Sequence, residues 1–420
     1  MKYKAKIIKL SNGAHMVMEY IPHVQSVSVG IWTRTGSVDE NKKITGISHL
    51  IEHMIFKGTE KRSAKQIAED VDKIGSQMNA FTGKEATCFY IKSLSSNIEK
   101  SIEIIMDIFL NSVFDKTELE KEKQVIFEEM KMIEDTPEED IHDVLCELVF
   151  KGIPLALPVI GTRTSMTGIT QNKVKNYIRQ EYTNDSVVIS VAGNFNEAEL
   201  INMVEEKLIG LADTKAPRED IDFIYSPSSR VKVKGIEQTH ICLGLPGVKL
   251  DDKKYYDFAV LNTIIGGTMS ARLFQSLREE MGLAYSVYST GSSFINTGLF
   301  SIYAAVSHEK LWEALAAIKE ELSKLKKDGV TADELEGAKE QLKGGYIFSQ
   351  ENVNGRMFSN GKNVTLLGKV FLPEDVIAGI NRVTADDVAE ASNIVKNIEN
   401  YSAAIITDRK TDIGKWMRNQ

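Results

Sequence analysis

The sequence predicts an α+β fold built from two homologous α/β-sandwich halves, each a mostly antiparallel sheet with helices packed on one face. The chain has 420 residues, which is too many for one ordinary hydrophobic core, so two domains of about 200 residues each are expected. Strand-like and helix-like stretches alternate along the chain and then begin again near its middle, which indicates an internal duplication.

The duplication is visible in two matching stretches. Residues 24–35 form an alternating, β-branched run that is followed by a polar loop and a helical pattern. Residues 231–245 are followed in the same way by a polar stretch and by a predicted helix over residues 255–265. At an offset of about 210 residues, HMIFKGT (53–59) aligns with TIIGGT (263–268) across a small gap. We therefore expect both halves to repeat one order of strands and helices.

A polar segment separates the two halves. Residues 212–230 (ADTKAPREDIDFIYSPSSR) contain two prolines and a Ser-Pro-Ser-Ser cluster, a composition typical of an inter-domain linker. The predicted domains are therefore an N-terminal half over residues 1–211 and a C-terminal half over residues 231–420. Within the first half, MKYKAKIIKLSNGAHMVMEY has the pattern of a β-hairpin with Asn12-Gly13 in its turn.

The composition excludes several classes of function. A net charge of −8 without a concentrated basic run argues against a nucleic-acid partner. No apolar run reaches transmembrane length, and the N-terminus has no apolar signal region, so no membrane association is expected. Three cysteines that are far apart, Cys88, Cys146 and Cys242, suit reduced thiols. These features predict a cytoplasmic protein.

The most informative motif is His49-Leu50-Ile51-Glu52-His53. In a helix, the two histidines would lie four residues apart on one face and could bind the same zinc ion. Glu52 would be close enough to take a proton from a zinc-held water, and H-x-x-E-H is the order of the inverzincins. The alternative is a pair of packed core histidines. Chance produces the full pentapeptide about once in a hundred such chains, so the zinc interpretation is favoured.

A catalytic zinc also needs a third protein ligand and an open fourth position. Residues 115–134 (DKTELEKEKQVIFEEMKMIE) predict a helix that carries many glutamates, with Asp115 or Thr117 as possible N-cap and Pro137 beyond its end.

Helical geometry narrows the choice among these glutamates. Glu122 and Glu129 are two turns apart and project from nearly the same side, whereas Glu128 is turned by about 100°. We select Glu129 as the metal-binding carboxylate and Glu122 as its neighbour in an outer shell. On geometry alone Glu128 is an almost equal alternative.

The predicted repeat is chemically unequal. The three residues of the second half that correspond to the motif cannot replace it; they are Ala259, Asn262 and Thr263. One zinc site per chain is therefore expected.

These motifs resemble the metal site of the pitrilysin-like zinc peptidases, in which HLIEH is followed by a glutamate 76 residues after the second histidine. The two-domain chain is similar to the branch of the mitochondrial processing peptidase β-subunit and its bacterial homologues. The matching blocks cover essentially the whole chain: GISHLIEHMIFKGT, MNAFTGKEATCFY, EKEKQVIFEEMKMIEDTPEE, PVIGTRTSM and SLREEMGLAYSVYS.

The resemblance implies roles for individual residues. His49, His53 and Glu129 would bind Zn²⁺, and Glu52 would be the catalytic base with Glu122 in support. In such enzymes an Arg and a Tyr seven residues apart contact the substrate backbone, and the residues at that spacing here are Arg278 and Tyr285. Without the resemblance, a surface arginine and a core tyrosine would be the preferred interpretation.

A predicted hairpin supplies a second substrate contact. Asn79 and Ala80 lie in a strand that is followed by a Gly83-Lys84 turn and a return strand. In similar enzymes an edge strand at this place pairs with the peptide through main-chain hydrogen bonds. An ordinary hairpin is the alternative, and both interpretations can hold.

The resemblance also implies an assembly and an activity. Family active sites are closed chambers of four such halves, so a homodimer is expected in which Arg278 and Tyr285 act across the subunit interface. The leading hypothesis is a zinc-dependent endopeptidase or oligopeptidase acting on extended or unfolded peptides. The alternatives are a non-catalytic peptide-binding or structural subunit and an enzyme that depends on a second chain.

Overall fold

The computed structural model describes residues 4–216, 218 and 223–418. Its strands, numbered in chain order, are β1 Lys6–Lys9, β2 His15–Tyr20, β3 Ser26–Thr33, β4 Gln77–Thr82, β5 Thr87–Leu94, β6 Val187–Gly193, β7 Ser229–Val233, β8 Thr239–Gly247, β9 Ala284–Ser293, β10 Gly298–Val306 and β11 Ser402–Thr407.

The α-helices are α1 Ile47–Met54, α2 Ala64–Lys73, α3 Ile98–Asn111, α4 Lys116–Asp135, α5 Pro137–Val149, α6 Arg163–Gly168, α7 Gln171–Glu181, α8 Glu197–Lys207, α9 Tyr255–Asn262, α10 Leu311–Asp328, α11 Ala332–Ser349, α12 Val353–Leu367, α13 Pro373–Asn381, α14 Ala385–Val395 and α15 Ile413–Arg418. Two π-helical segments cover Thr263–Gly267 and Phe274–Glu280. The predicted helix over residues 255–265 is thus α9 continued by a π-helical turn.

Two sheets have the same topology. The first has the order β1-β2-β6-β3-β5-β4 and the second the order β7-β11-β8-β10-β9. In each sheet one pair is parallel, β2 with β6 and β7 with β11, and the other pairs are antiparallel. Without β1, the second sheet repeats the first, strand by strand. The predicted fold class and the internal duplication are confirmed.

The N-terminal hairpin is also confirmed, because β1 pairs antiparallel with β2. The turn contains Asn12 and Gly13, and Gly13 has φ +94°, a left-handed conformation that a residue without Cβ adopts without strain. The Asn12 Oδ1 accepts from the backbone N–H of Ala14 at 3.1 Å, which closes the turn.

The chain forms two compact units that are interleaved along the sequence. The first contains Met1–Met130, Leu157–Glu219 and Ile347–Pro373, and the second contains the segments between and after these. The predicted halves were continuous, whereas α5 packs in the second unit and α12 in the first. The predicted linker begins within the first unit, and its residues 217 and 219–222 lie outside the described residues.

In the first unit, one face of the sheet packs against helices of the N-terminal half. Alternate residues of β3, among them Val27 and Ile31, join this core together with Leu50 and Ile51 of α1. The alternation is the one expected of a strand whose successive side chains point to opposite faces.

The opposite face of this sheet carries α12, which comes from the C-terminal half. Met357 packs against Gly30 of β3, and Gly361 lies against the indole of Trp32, where a Cβ would collide with the ring. The close approach of this helix therefore depends on both glycines. The Ser190 hydroxyl donates to the Met357 carbonyl at 2.8 Å, which fixes the register of the helix on the sheet.

The second unit is built in the same way. Its main core lies between β8, β10 and β11 and helices that include α9, α10 and α14. On its other face lies α5, from the N-terminal half, and Leu145 packs against Gly244 of β8. Each sheet therefore has a helix on its second face, an addition to the predicted architecture.

Among the described residues, no helix combines the length and the apolar composition that a membrane span requires. None of the three cysteines forms a disulfide, and Cys88 and Cys242 are buried.

Candidate metal centre and substrate surface

The helix α1 brings the H-x-x-E-H motif to the surface of the first unit. Ile47, Leu50, Ile51 and Met54 are fully buried in the core. Because these residues occupy one side of the helix, His49, Glu52 and His53 project from the other side and are half-buried. The predicted helix is confirmed, and its amphipathic pattern is what orients the motif.

The start of α1 is held by a residue outside the helix. Gly46 precedes it with φ +90° and has no side chain to cap it. Instead, the buried carboxylate of Glu40 accepts from the backbone N–H groups of Gly46 at 2.6 Å and Ser48 at 2.9 Å. These donors would otherwise lack partners, because the first N–H groups of a helix have none within it.

The helix α4 supplies the carboxylates. Asp115 is its N-cap, because its Oδ1 accepts from the N–H groups of Thr117 at 2.8 Å and Glu118 at 3.1 Å. Of the two N-cap candidates, Asp115 rather than Thr117 is therefore correct. Along this helix Glu122 is buried, Glu129 is half-buried and Glu128 is exposed.

Glu129 lies beside both imidazoles. Its Oε2 is 3.8 Å from His49 Nε2 and 3.6 Å from His53 Nε2. Ligand atoms of these three residues all lie within 4.8 Å of one another, and no other group of this kind occurs among the described residues. The geometry thus separates Glu129 from Glu128, which the sequence alone left nearly equal.

These residues fit a zinc ion. Glu129 Oε2 is buried and has no hydrogen-bond partner, although it is flanked by two imidazole nitrogens. Tetrahedral zinc ligands with bonds of about 2.0–2.1 Å lie about 3.3 Å apart, so only small side-chain movements would close these distances onto one ion. Two histidines and one glutamate also form the donor set of catalytic zinc sites, which keep a fourth position open.

The protonation state of His49 suits metal binding. Burial, with a smaller contribution from His53, lowers the pKa of His49 to about 4. The imidazole is therefore neutral at pH 7, and the neutral form is the one that binds a metal.

Glu122 contacts His53 on the side of the ring that faces away from Glu129. Its Oε2 lies 3.2 Å from His53 Nδ1, and its Oε1 forms an ion pair with Lys57 Nζ at 2.6 Å. Because His53 faces Glu129 with its other nitrogen, Glu122 contacts the ring on the side away from the ligand position. A carboxylate in this place fixes the tautomer and orientation of the imidazole.

Glu52 lies next to the edge strand β4. Burial raises the pKa of Glu52, while Thr82, the last residue of β4, and His53 act in the opposite direction. A carboxylate with a raised pKa is better suited to accept and release a proton near neutral pH. The lysine beside Glu122 and this threonine were not predicted, because nothing in their local sequence indicates a role.

The strand β4 is at the edge of the first sheet, as the predicted peptide-binding mode requires. Asn79 is exposed and Ala80 is buried. The Asn79 Oδ1 accepts from the Ala80 N–H at 2.8 Å, so this donor already has a partner within the strand. A peptide that paired with Ala80 would have to displace that amide oxygen.

Arg278 and Tyr285 belong to the second compact unit, whereas the metal-site residues belong to the first. The Arg278 guanidinium lies over the Tyr285 ring at 5.0 Å and over the Phe274 ring at 4.7 Å from their centroids. Tyr285 is 78% exposed, so the alternative of a core tyrosine is wrong. Both side chains are presented to solvent as a stacked pair.

Family models match most of the chain. One described as "Insulinase (Peptidase family M16)" matches residues 15–163, and one described as "Peptidase M16 inactive domain" matches residues 168–342. The first match contains the H-x-x-E-H motif and Glu129, and the second contains Arg278 and Tyr285.

Curated relatives are similar over nearly their full length. The uncharacterized zinc protease YmxG of Bacillus subtilis is 40% identical over 94% of this chain and 96% of its own. An uncharacterized zinc protease of Streptomyces coelicolor is 36% identical over 90% of this chain and 84% of its own.

Solved structures share the fold. A peptidase M16 inactive domain from Pseudomonas fluorescens has a TM-score of 0.90 at 20% identity, and covers 97% of this chain and 99% of its own. A protease from Helicobacter pylori has a TM-score of 0.87 at 20% identity, and covers 97% and 100%.

Proposed function

Because this chain belongs to peptidase family M16, a family of zinc peptidases, we propose that it is a zinc-dependent endopeptidase or oligopeptidase that hydrolyses extended or unfolded peptides. The observation that supports this most is the buried Glu129 oxygen between two imidazoles, with Glu52 on the same helix face. His49, His53 and Glu129 would bind one Zn²⁺ per chain.

The chain's own residues have distinct tasks in this proposal. Zinc, when bound, lowers the pKa of its water toward about 7 and polarises the substrate carbonyl. Glu52 accepts the proton of the attacking water and passes it to the leaving amine. Glu122 keeps the His53 ring in place through the contact at Nδ1.

Substrate binding involves two further surfaces. The free edge of β4, next to Glu52, would pair with an extended peptide through main-chain hydrogen bonds. Arg278 and Tyr285 would donate hydrogen bonds to the substrate backbone near the scissile bond, where negative charge develops on the carbonyl oxygen. Recognition of this kind reads the backbone, so it favours unfolded peptides over one particular sequence.

The decisive experiment compares the wild type with Glu52→Gln on a quenched fluorescent peptide library, with and without a chelator. The variant retains zinc and loses turnover by about 10³-fold or more, because its side chain cannot take a proton. Glu60→Gln, an exposed residue just beyond α1, serves as the matched control and retains activity. A Glu52→Gln variant that cleaves as fast as the wild type contradicts the proposal.

The same experiment tests the non-catalytic alternative. A peptide-binding or structural subunit would bind zinc and peptide without cleaving any member of the library. The M16 model named for an inactive domain matches residues 168–342, outside the H-x-x-E-H motif and Glu129. A complete set of zinc-binding residues in the first half therefore favours the enzyme.

We propose further that the chain acts as a homodimer in which Arg278 and Tyr285 serve the zinc site of the partner subunit. Mixing Glu52→Gln with Arg278→Ala tests this directly. In a dimer of this kind, the mixed species combines one intact zinc site with one intact Arg278, so about a quarter of wild-type activity returns. Two inactive variants that stay inactive after subunit exchange exclude action across the interface.

A further inference from the structure

Two neighbouring acidic residues, Asp39 and Glu40, are buried in the first unit without contacting a proposed metal ligand. Glu40 is 4% exposed as a residue, and the side chain of Asp39 is 4% exposed. Asp39 ends a short 3-10 turn over Ser37–Asp39, and its Oδ2 accepts from the Gly36 N–H at 2.9 Å. Burying two adjacent carboxylates is costly unless each is fully hydrogen-bonded or paired, so their partners indicate what they do.

Glu40 faces the start of α1, the helix that carries His49, Glu52 and His53. Both of its oxygens accept backbone N–H groups at the start of α1, from Gly46 and from Ser48. Ser48 immediately precedes His49, and its hydroxyl is 3.0 Å from the Tyr177 hydroxyl. A carboxylate at a helix N-terminus is also favoured by the helix dipole. The position of the first turn of α1 is thus set by Glu40.

Asp39 faces the polar segment predicted as the linker. Lys215 Nζ lies 2.9 Å from Asp39 Oδ1 and also donates to the Arg34 carbonyl at 2.8 Å. Arg218 donates to both Asp39 oxygens, from Nε at 2.8 Å and from one terminal nitrogen at 2.7 Å. Such a two-point pair fixes the relative position of both partners.

The same arginine also contacts the β4–β5 hairpin, whose edge strand is the proposed peptide-binding strand. A terminal nitrogen of Arg218 donates to the Glu85 carbonyl at 2.7 Å, in the turn between β4 and β5. The turn also accepts two backbone hydrogen bonds from the 3-10 segment: Ser37 N–H to Gly83 at 3.3 Å and Val38 N–H to Lys84 at 2.9 Å. The hairpin that carries Thr82, beside Glu52, is therefore tied to the linker.

We propose that Glu40 and Arg218 are positioning residues of the active site, and that the start of the linker is part of its scaffold. Glu40 sets the place of α1, which carries the zinc-binding histidines and the base. Arg218, through Asp39 and the Glu85 carbonyl, sets the place of the edge strand relative to that helix. The inference that these residues affect catalysis rests on the proposed function. Neither residue would contact zinc or substrate.

Glu40→Gln and Arg218→Lys test the two contacts separately. A glutamine has one acceptor oxygen, so one N–H at the start of α1 loses its partner and zinc affinity falls about tenfold. A lysine cannot reproduce the fork of the guanidinium, so KM for the fluorescent peptide pool rises about tenfold, while kcat and zinc affinity stay near wild type. Zinc alone is titrated against a chromophoric chelator.

Glu19→Gln and Arg356→Lys are the matched controls. Glu19 is also 4% exposed and pairs with the buried Arg356 and with Asn360 at 2.8 Å, on the opposite face of the same sheet. These variants change a buried ion pair without touching α1 or the hairpin. The proposal is supported if zinc affinity falls in Glu40→Gln and KM rises in Arg218→Lys, while both quantities equal the wild type in the controls.

The proposal is overturned if folded Glu40→Gln and Arg218→Lys match the wild type in zinc affinity and KM, or if the controls lose as much. Hydrogen exchange at the Gly46 and Ser48 amides adds a readout that needs neither zinc nor turnover, and it is faster in Glu40→Gln only if Glu40 holds the helix. A wild type that binds zinc without cleaving peptide overturns the proposed function alone.

Discussion

The helix that follows β3 in the first sheet and the helix that follows β8 in the second occupy the same place in the repeated topology. At the offset of 210 residues, the buried side of α1 keeps its character: Leu50, Ile51 and Met54 correspond to Val260, Leu261 and Ile264, which are all buried. The opposite side does not, because His49, Glu52 and His53 correspond to Ala259, Asn262 and Thr263.

This difference separates packing from chemistry. The apolar side of each helix must fit the core of its own unit, and that requirement is the same in both halves. The other side contributes little to the core, so it can carry candidate metal ligands in one half and lack them in the other. The second half instead presents Arg278 stacked on the exposed Tyr285.

The largest effect is expected for a zinc ligand. His49→Ala removes one of three protein donors, so zinc affinity falls by at least about 100-fold and activity is lost with it. The measurement is competition with a chelator, together with the zinc content of the purified protein. His240→Ala, in the second half, is the control and leaves zinc bound. Loss of zinc in the control would show that the second half also contributes to metal binding.

The next effect is expected in the second half. Tyr285→Phe removes one hydrogen-bond donor, and kcat/KM falls by about 100-fold if this hydroxyl stabilises the developing oxyanion. Zinc affinity is unchanged, because the residue is not a ligand. Tyr255→Phe, at another partly exposed tyrosine of the same half, retains full activity. A Tyr285→Phe variant as active as the wild type would show that this hydroxyl takes no part in the chemistry.

A smaller change in zinc affinity is expected for Glu122, which contacts His53 on the side away from the proposed zinc site. Glu122→Gln weakens the contact with His53 Nδ1 and removes the ion pair with Lys57, so zinc affinity falls about tenfold. Glu120→Gln, on the same helix but with an exposed side chain, serves as the control. Equal zinc affinity in both variants would show that the second carboxylate does not orient the imidazole.

The smallest effect concerns pH and Glu40. Burial raises its pKa from 4.5 to about 7, although the N–H groups of Ser48 and Gly46 oppose the shift. The folded state therefore binds more protons than the unfolded state between these values, and the contribution of Glu40 to stability falls as pH rises through this window. Urea unfolding at pH 5 and pH 7 measures it. Between pH 5 and pH 7 the free energy of unfolding falls more in the wild type than in Glu40→Gln.

Much of the fold follows from local patterns in the sequence. The hairpin β1–β2, the strand β3, the amphipathic α1 and the edge hairpin β4–β5 each have a periodicity or a turn signal that lies within a few residues. The duplication can be predicted from the sequence because the matching segments of the two halves keep the same order. The packing of α5 and α12 on the two sheets cannot be predicted from local patterns, because it depends on contacts between segments that are far apart in the chain.

The candidate site was predicted to a similar extent. The spacing within H-x-x-E-H is a helical property and needs no distant information. The choice between Glu128 and Glu129 does need it, because both lie on one helix and only the packing of α4 decides which faces the imidazoles. Glu40 was missed for the same reason: its contacts with Gly46 and Ser48 depend on how the loop between them folds.

The helix α12 comes from the C-terminal half but packs on the first sheet, and this has a consequence for biosynthesis. The outer face of the first sheet, with Val17, Trp32 and Val188, is buried together with Val353 and Met357. At roughly 5–20 residues per second, a ribosome needs about 10–35 s to advance from the end of β6 to the end of α12. During that interval an apolar surface of the nascent chain lacks its cover, so early release or truncation would favour aggregation, and a chaperone that shields exposed sheets would improve the yield.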